Sequence, residues 1–234
     1  MTTGAPGRRI FPDGATLAHE FAQWTAGLLQ SGVDQRGEAL LVVSGGMTPK
    51  RYFAALAQQA IDWPRVTITL ADERRVADDS PRSNARLLRE NLLRERAAAA
   101  VFVRLADIRL APDRELAAAN ARIADLPLPA DLVVLGMGDD GHTCSWFPGA
   151  DNLAEAIDPG TRALVVPISA PGAPEPRLTL TAPVILGGRA LALHIEGPDK
   201  LETLERALGP GPIEEMPIRA ALRGAADRLT IFSA

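Results

Sequence analysis

Apolar residues along this chain switch repeatedly between two spacings. Leu17, Phe21, Trp24 and Leu28 recur every three to four positions, which predicts an amphipathic helix over about 14–31. Ala39–Val43 is a short unbroken apolar run of the kind a strand buried on both faces requires. Phe53, Leu56, Ala57 and Ala60 return to helical spacing, and Val66–Leu70 alternates as a strand does. Leu88 and Leu92 then mark a helix beginning near Ser83, and Leu116, Ala119 and Ile123 mark another. A strand at 131–135 follows, then strands at Leu164–Ile168 and Leu191–Ile195. A helical stripe of Leu201, Leu204 and Leu208 precedes a last strand, Leu229–Phe232. Repeated strand–helix units predict an α/β fold: an open, mostly parallel, Rossmann-like sheet with helices on both faces. Residues 169–176, rich in proline and small side chains, read as a flexible loop. No internal repeat is visible.

Composition narrows the class. With 234 residues, 47% hydrophobic and 23% charged, the chain can bury a large core, and a single domain over 1–234 is expected. A net charge of −4, with no cluster of Lys and Arg, argues against a nucleic-acid partner. No apolar run is long enough to span a membrane, and MTTGAPGRR lacks the apolar segment of a secretory signal. The one cysteine, Cys144, has no partner for an internal disulfide and fits a reducing compartment, so cytoplasm is the expectation.

Residues 131–149, DLVVLGMGDDGHTCSWFPG, carry the densest chemistry. A buried strand there empties into glycines, carboxylates and one of only three histidines, at the sheet end where α/β proteins place ligands. His142 is the side chain suited to proton transfer near neutrality. Gly136 to Gly141 also satisfies the dinucleotide pattern G-x-G-x-x-G. That pattern needs a helix opening on its last glycine, whereas Asp139 and Asp140 would repel a pyrophosphate and Pro148-Gly149 soon breaks the chain. A lone histidine is also compatible with a purely structural role.

Three other places carry candidate chemistry. Ser44-Gly45-Gly46-Met47-Thr48-Pro49 joins a strand to a helix, with Thr48 placed as N-cap and Pro49 at the first helical position. Its free N–H groups suit an anion such as phosphate, although a tight turn without ligand would use the same residues. It is not a Walker A loop. Ala71-Asp72-Glu73-Arg74 puts three charges at a strand's carboxyl end, where Asp72 can accept from hydroxyls and Arg74 can fork onto oxygens; a solvated turn is the plainer alternative. Gly197-Pro198-Asp199-Lys200 places a cation in a first helical turn, against the dipole, a conflict that an anionic ligand would remove. Neutralisation by Asp199 and Glu202 would remove it too. Arg177, opening the run RLTLT, is a weaker companion.

Several chemistries are disfavoured. Cys144 lies two residues from His142, whereas a reactive Cys–His pair normally comes from distant segments. No G-x-S-x-G elbow occurs, and the spacing of a metal site is missing. His19 and His194 read as structural, one on a helix and one inside a strand.

SGGMTP, DERRV with the later Ser83-Asn84, LGMGDDGHTCSWFPG, PRLTLT and GPDK together resemble, in order and spacing, the 6-phosphogluconolactonases. These lie within a larger group that includes the glucosamine-6-phosphate deaminases. The likeness runs from about residue 10 to the end of the chain. The Arg after Asp-Glu and the Ser-Asn pair favour the lactonase branch. Met47, Cys144 and Trp146 depart from the usual residues, Ser or Thr, Ala, and Leu.

The resemblance implies an open, mostly parallel α/β sheet and hydrolysis of 6-phosphoglucono-δ-lactone to 6-phosphogluconate in the oxidative pentose phosphate pathway. It implies no metal and no organic cofactor. His142 would be the general base and Asp140 would orient the imidazole or the water, with glycine N–H groups steadying the oxyanion. The Gly45-Gly46 backbone, Thr48, Arg177 and Lys200 would hold the phosphate, with Arg74 close to the sugar, and Ser44 and Asp72 would also be substrate-binding. The expected partner is a small phosphosugar lactone, and the protein would be a monomer or homodimer. A deaminase of the same fold, a non-catalytic sugar-phosphate sensor and a nucleotide-dependent oxidoreductase remain the competing functions.

Overall fold

The computed structural model describes residues 5–171 and 173–234. Met1 to Gly4, which open the MTTGAPGRR segment, and Gly172 of the 169–176 segment lie outside the described residues. In chain order the elements are β1 (Gly7–Ile10), α1 (Gly14–Arg36), β2 (Ala39–Val43), α2 (Lys50–Ala57), β3 (Val66–Leu70), β4 (Asp72–Arg74), α3 (Asn84–Asn91), β5 (Val101–Val103), α4 (Pro112–Ala124), β6 (Leu132–Leu135), α5 (Leu153–Ile157), β7 (Val165–Ala170), β8 (Ala173–Leu180), α6 (Ala182–Leu186), β9 (Leu191–Ile195), α7 (Pro198–Leu208), α8 (Arg219–Gly224) and β10 (Leu229–Ser233).

Seven strands form one sheet in the order β1-β10-β9-β6-β2-β3-β5, every adjacent pair parallel. From β2 the chain builds outward through β3 and β5, then returns to lay β6 on β2's other side. The reversal leaves a crevice beyond the carboxyl ends of β2 and β6, and this is where an open α/β sheet takes its ligands. β2, β6 and β9 are buried at every position, as strands covered on both faces must be. Phe21 of α1 stacks on Phe232 of β10 and on Tyr52 of α2, at centroid distances of 4.2 and 4.1 Å, which seals the α1–α2 layer against the sheet.

Helix ends explain where the periodicity was and was not sufficient. Asp13 caps α1 by accepting from the N–H groups of Ala15 and Thr16 at 2.9 and 2.7 Å. At the other end α1 continues past residue 31 to Arg36, because buried Gly32 and Val33 keep it on the core and Gly37, at φ 81°, closes it. α2 begins one residue later than expected: Pro49 is its cap and no side chain, Thr48 included, bonds its first turn. It ends at Ala57, leaving Ala60 exposed beyond it. On α7 the buried stripe is Thr203, Leu204 and Ala207, while Leu201 and Leu208 face outward.

The largest departure from expectation is a second sheet. β4, β8 and β7 form a three-stranded antiparallel sheet, so the strand expected at 164–168 does not join the parallel one. Residues 169–170 and 173–176, read as part of a loop, belong to β7 and β8. Proline's fixed φ suits extended backbone, and Pro167 lies on the outer strand β7, where a missing N–H costs no ladder bond. Asp72-Glu73-Arg74, for which a solvated turn is the plainer alternative from sequence, is the third strand, and β1 and β5 are short edge strands without an alternating pattern to announce them.

Glu73 and Asp72, adjacent on β4, face opposite ways as strand geometry requires. Glu73 is buried and takes the free N–H groups at the start of α3: Asn84 and Ala85 donate to it at 2.8 and 2.7 Å, with Arg74 N–H at 2.7 Å and the Ser83 hydroxyl at 3.2 Å. Burial pushes its carboxyl up, against the pull of those N–H groups. Glu73→Gln puts an amide donor among donors and is expected to cost about 1–3 kcal/mol, read as a lower midpoint in denaturant unfolding.

Candidate active site

A cleft of about 350 Å³ opens over the crevice between β2 and β6. It is lined by Ser44, Gly45, Gly46, Met47 and Thr48 after β2, by Asp72 and Arg74 of β4, and by Gly136 to Gly138 with His142 after β6. Arg177 of β8 and Lys200 of α7 also line it. The sequence-expected residues therefore converge in one place, with Asp140 reaching the cleft through His142.

The reactive end is a tight turn. Gly138 N–H donates to the His142 carbonyl at 2.9 Å and Gly141 N–H donates to the Gly138 carbonyl at 3.0 Å. Gly141, at φ 79°, supplies the left-handed backbone that closes it. His142 Nδ1 lies 2.6 Å from Asp140 Oδ1, and the same oxygen accepts the His142 N–H at 3.0 Å. Burial pushes the Asp140 carboxyl up, but the bonds and charge of His142 outweigh it and hold it below its ordinary value. An ionised carboxylate only accepts, so the neutral imidazole carries its proton on Nδ1 and presents its lone pair at Nε2. Phe147 packs against the imidazole at 4.2 Å between centroids. Gly138 has a steric reason of its own: a Cβ there would overlap the His142 ring and the Asp140 carboxylate.

The dinucleotide alternative fails locally, because no helix opens on Gly141. The Gly138 and Gly141 N–H groups are spent inside the turn, whereas Arg74 Nε and Arg177 Nε are unpartnered donors at the same cleft.

Gly45 and Gly46 answer a different demand. A Cβ on Gly45 would collide with the Asn84 carboxamide, and Gly46 sits at φ 102°. Among the described residues, the N–H groups from Gly45 to Thr48 find no backbone acceptor, which leaves a row of donors at the cleft. Met47 stands exposed on this loop.

Charge is concentrated on the floor. Asp72 accepts from the Ser145 hydroxyl at 2.5 Å and lies 3.6 Å from Arg177 Nη1, all three groups buried. Arg177 and Arg74 are direct cross-strand partners on β8 and β4, a like-charge pairing that opposes sheet formation unless an anion or dipole is shared between them. Arg177 also packs its guanidinium 4.9 Å from the Phe147 ring, while Arg74 Nη1 donates to the Arg82 carbonyl at 2.6 Å. Among the described residues, five buried side-chain polar atoms lack a partner: Ser44 Oγ, Arg74 Nε, Asn84 Oδ1, Arg177 Nε and His194 Nδ1. All five belong to residues lining this cleft.

Asn84 and His194, each with an unpartnered buried polar atom, are among the lining residues that the sequence did not mark as site residues. Asn84 was signalled by the Ser83-Asn84 pair, since Ser83 caps α3 and the next side chain turns inward to donate to the Asp72 carbonyl at 2.9 Å. His194 carried no signal, as a buried histidine inside a strand reads as packing. Burial and the nearby Asp72 charge push the Cys144 thiol well up, which removes it as a nucleophile. Trp146 fits where a smaller side chain is usual because it is fully buried with its indole N–H on the Leu180 carbonyl at 3.0 Å. Among the described residues, no group of three or more His, Cys, Asp or Glu is placed to hold a metal ion, and no helix is long and apolar enough to cross a membrane.

The profile of the family described as glucosamine-6-phosphate isomerases/6-phosphogluconolactonase matches residues 12–231. A 6-phosphogluconolactonase of Mesorhizobium japonicum is 46% identical over 222 residues, covering 95% of this chain and 92% of the relative. One from Pseudomonas aeruginosa is 42% identical over 217 residues, covering 93% and 91%. The crystal structure of a 6-phosphogluconolactonase from Shewanella baltica superimposes with a TM-score of 0.92 at 42% identity, covering 98% of each chain.

Proposed function

The chain belongs to the glucosamine-6-phosphate isomerase/6-phosphogluconolactonase family, and from this we propose how its cleft hydrolyses 6-phosphoglucono-δ-lactone to 6-phosphogluconate, a step of the pentose phosphate pathway. The observation that supports the site assignment is the convergence of the five unpartnered buried polar atoms around the His142–Asp140 pair. Buried polar atoms are normally satisfied, so a cluster of exceptions in one cleft marks where a polar ligand supplies the missing bonds.

His142 Nε2 takes a proton from a water molecule as its oxygen attacks the lactone carbonyl carbon. Asp140 holds the tautomer and offsets the imidazolium charge. The carbonyl oxygen becomes an oxyanion, stabilised by the Arg74 guanidinium. Collapse re-forms the carbonyl, breaks the bond to the ring oxygen, and His142 returns its proton to that oxygen. A carboxylic acid and a hydroxyl result, and the acid ionises in water. Asp72 and Asn84 accept from sugar hydroxyls.

The phosphate end is held by Ser44, the N–H groups of Gly45 and Gly46, Thr48, Arg177 and Lys200. Binding energy from this remote group positions the carbonyl without taking part in the chemistry. Lys200→Ala is expected to raise KM about 10–100-fold with a smaller change in kcat, the size of a charged hydrogen bond. An unchanged KM would place the phosphate elsewhere.

The whole chain is read as one lactonase domain acting in the cytoplasm as a monomer or homodimer. The direct test follows loss of freshly generated 6-phosphogluconolactone with and without the protein, subtracting spontaneous opening. A parallel assay for ammonia from glucosamine 6-phosphate separates this activity from that of a deaminase. No enhancement over background, or ammonia release in its place, would refute the lactonase reading.

A further inference from the structure

The turn that carries His142 also carries Asp139, a carboxylate that the hydrolytic scheme does not use. Its side chain is largely exposed, yet Oδ1 lies 2.6 Å from Lys200 Nζ. Its backbone is fixed to the same helix as that lysine: Arg206 Nη2 and Thr203 Oγ1 of α7 donate to the Asp139 carbonyl at 3.1 and 3.4 Å. Asp199 and Glu202, although closer in sequence, make no ion pair with Lys200; among the described residues its acidic partner is Asp139. A lysine in the first turn of a helix opposes the dipole there, and the carboxylate relieves that opposition.

We propose that Asp139 is a built-in counter-ion that competes with the substrate's phosphate for Lys200, and so sets how tightly phosphorylated ligands are held. The proposal rests on the assignment of Lys200 to the phosphate. A dianion reaching the ammonium must displace the carboxylate or sit beside it, and either course weakens binding by about the strength of a part-exposed ion pair. The effect matters most on the product side. Hydrolysis turns a neutral ester into a carboxylate while the phosphate remains, so the product is more anionic than the substrate and more opposed by Asp139. The carboxylate therefore limits product inhibition and keeps Lys200 aimed at the cleft.

Asp139→Asn keeps the size of an exposed side chain and removes its charge. The probes are inorganic phosphate and 6-phosphogluconate as inhibitors of lactone hydrolysis. The expected result is a Ki about two- to five-fold lower for 6-phosphogluconate, with smaller decreases in the Ki of phosphate and in KM, and no gain when the change is made in a Lys200→Ala background. Unchanged Ki values in Asp139→Asn, or a gain that persists without Lys200, overturn the counter-ion proposal while leaving phosphate on Lys200. If Lys200→Ala itself leaves phosphate inhibition untouched, the phosphate assignment fails and the counter-ion role with it.

Discussion

His142→Ala is expected to lower kcat by about 10²–10⁴-fold, the usual contribution of a positioned general acid–base group. The size follows from geometry: Asp140 lies 2.6 Å from Nδ1, so Nε2 is the nitrogen left to move a proton in both halves of the reaction. The imidazole is partly exposed at the cleft, so its removal leaves no large cavity in the core and the unfolding midpoint should move little. KM should change less than kcat, because the phosphate grip comes from other segments. Turnover close to that of the unaltered protein, measured above the spontaneous rate, would remove His142 from the base role.

Gly138→Ala should be nearly as harmful although it deletes nothing. Gly138 is outside the left-handed region, so alanine is compatible with its backbone, and the damage comes from its methyl overlapping the imidazole and the Asp140 carboxylate. Misplacing a reacting group by an ångström costs about 10²-fold, and a loss of that order in kcat is expected. The methyl meets the ring first, so KM should again be less affected than kcat. A crystal structure of the variant should show His142 swung away from Asp140. Full activity in Gly138→Ala would mean that the ring tolerates another position, and that the pair as built is not required.

Much of the fold could be read from the chain because the parallel strands are buried on both faces. Runs such as Ala39–Val43 and Leu132–Leu135 have no other use, and each feeds a loop that the crevice brings to one side. The side sheet was illegible for a physical reason. β4 has three residues, all charged, and it is a strand only because β8 lies antiparallel beside it, a pairing more than a hundred residues distant in sequence. The prolines of 173–176 disguise the first half of β8, although extended backbone accommodates them.

The site divided in the same way. Glycines, His142 and the late lysine stand at strand ends and announce themselves. Asn84 needed the knowledge that α3's N-terminus is tied to β4 through Glu73, and His194 needed coordinates. Sequence cannot say which donors a turn consumes internally, and here the N–H groups of Gly138 and Gly141 are spent inside it.

The hydrolytic pair and its turn occupy five consecutive residues, 138–142, tied by hydrogen bonds among themselves and anchored from outside through the Asp139 and Gly141 carbonyls. The groups gripping the ligand arrive from four separate segments, β2's loop, β4, β8 and α7. Chemistry and recognition are thus separable in the gene: altering Thr48 or Arg177 should retune which anionic end group is held while the proton-transfer unit travels unchanged.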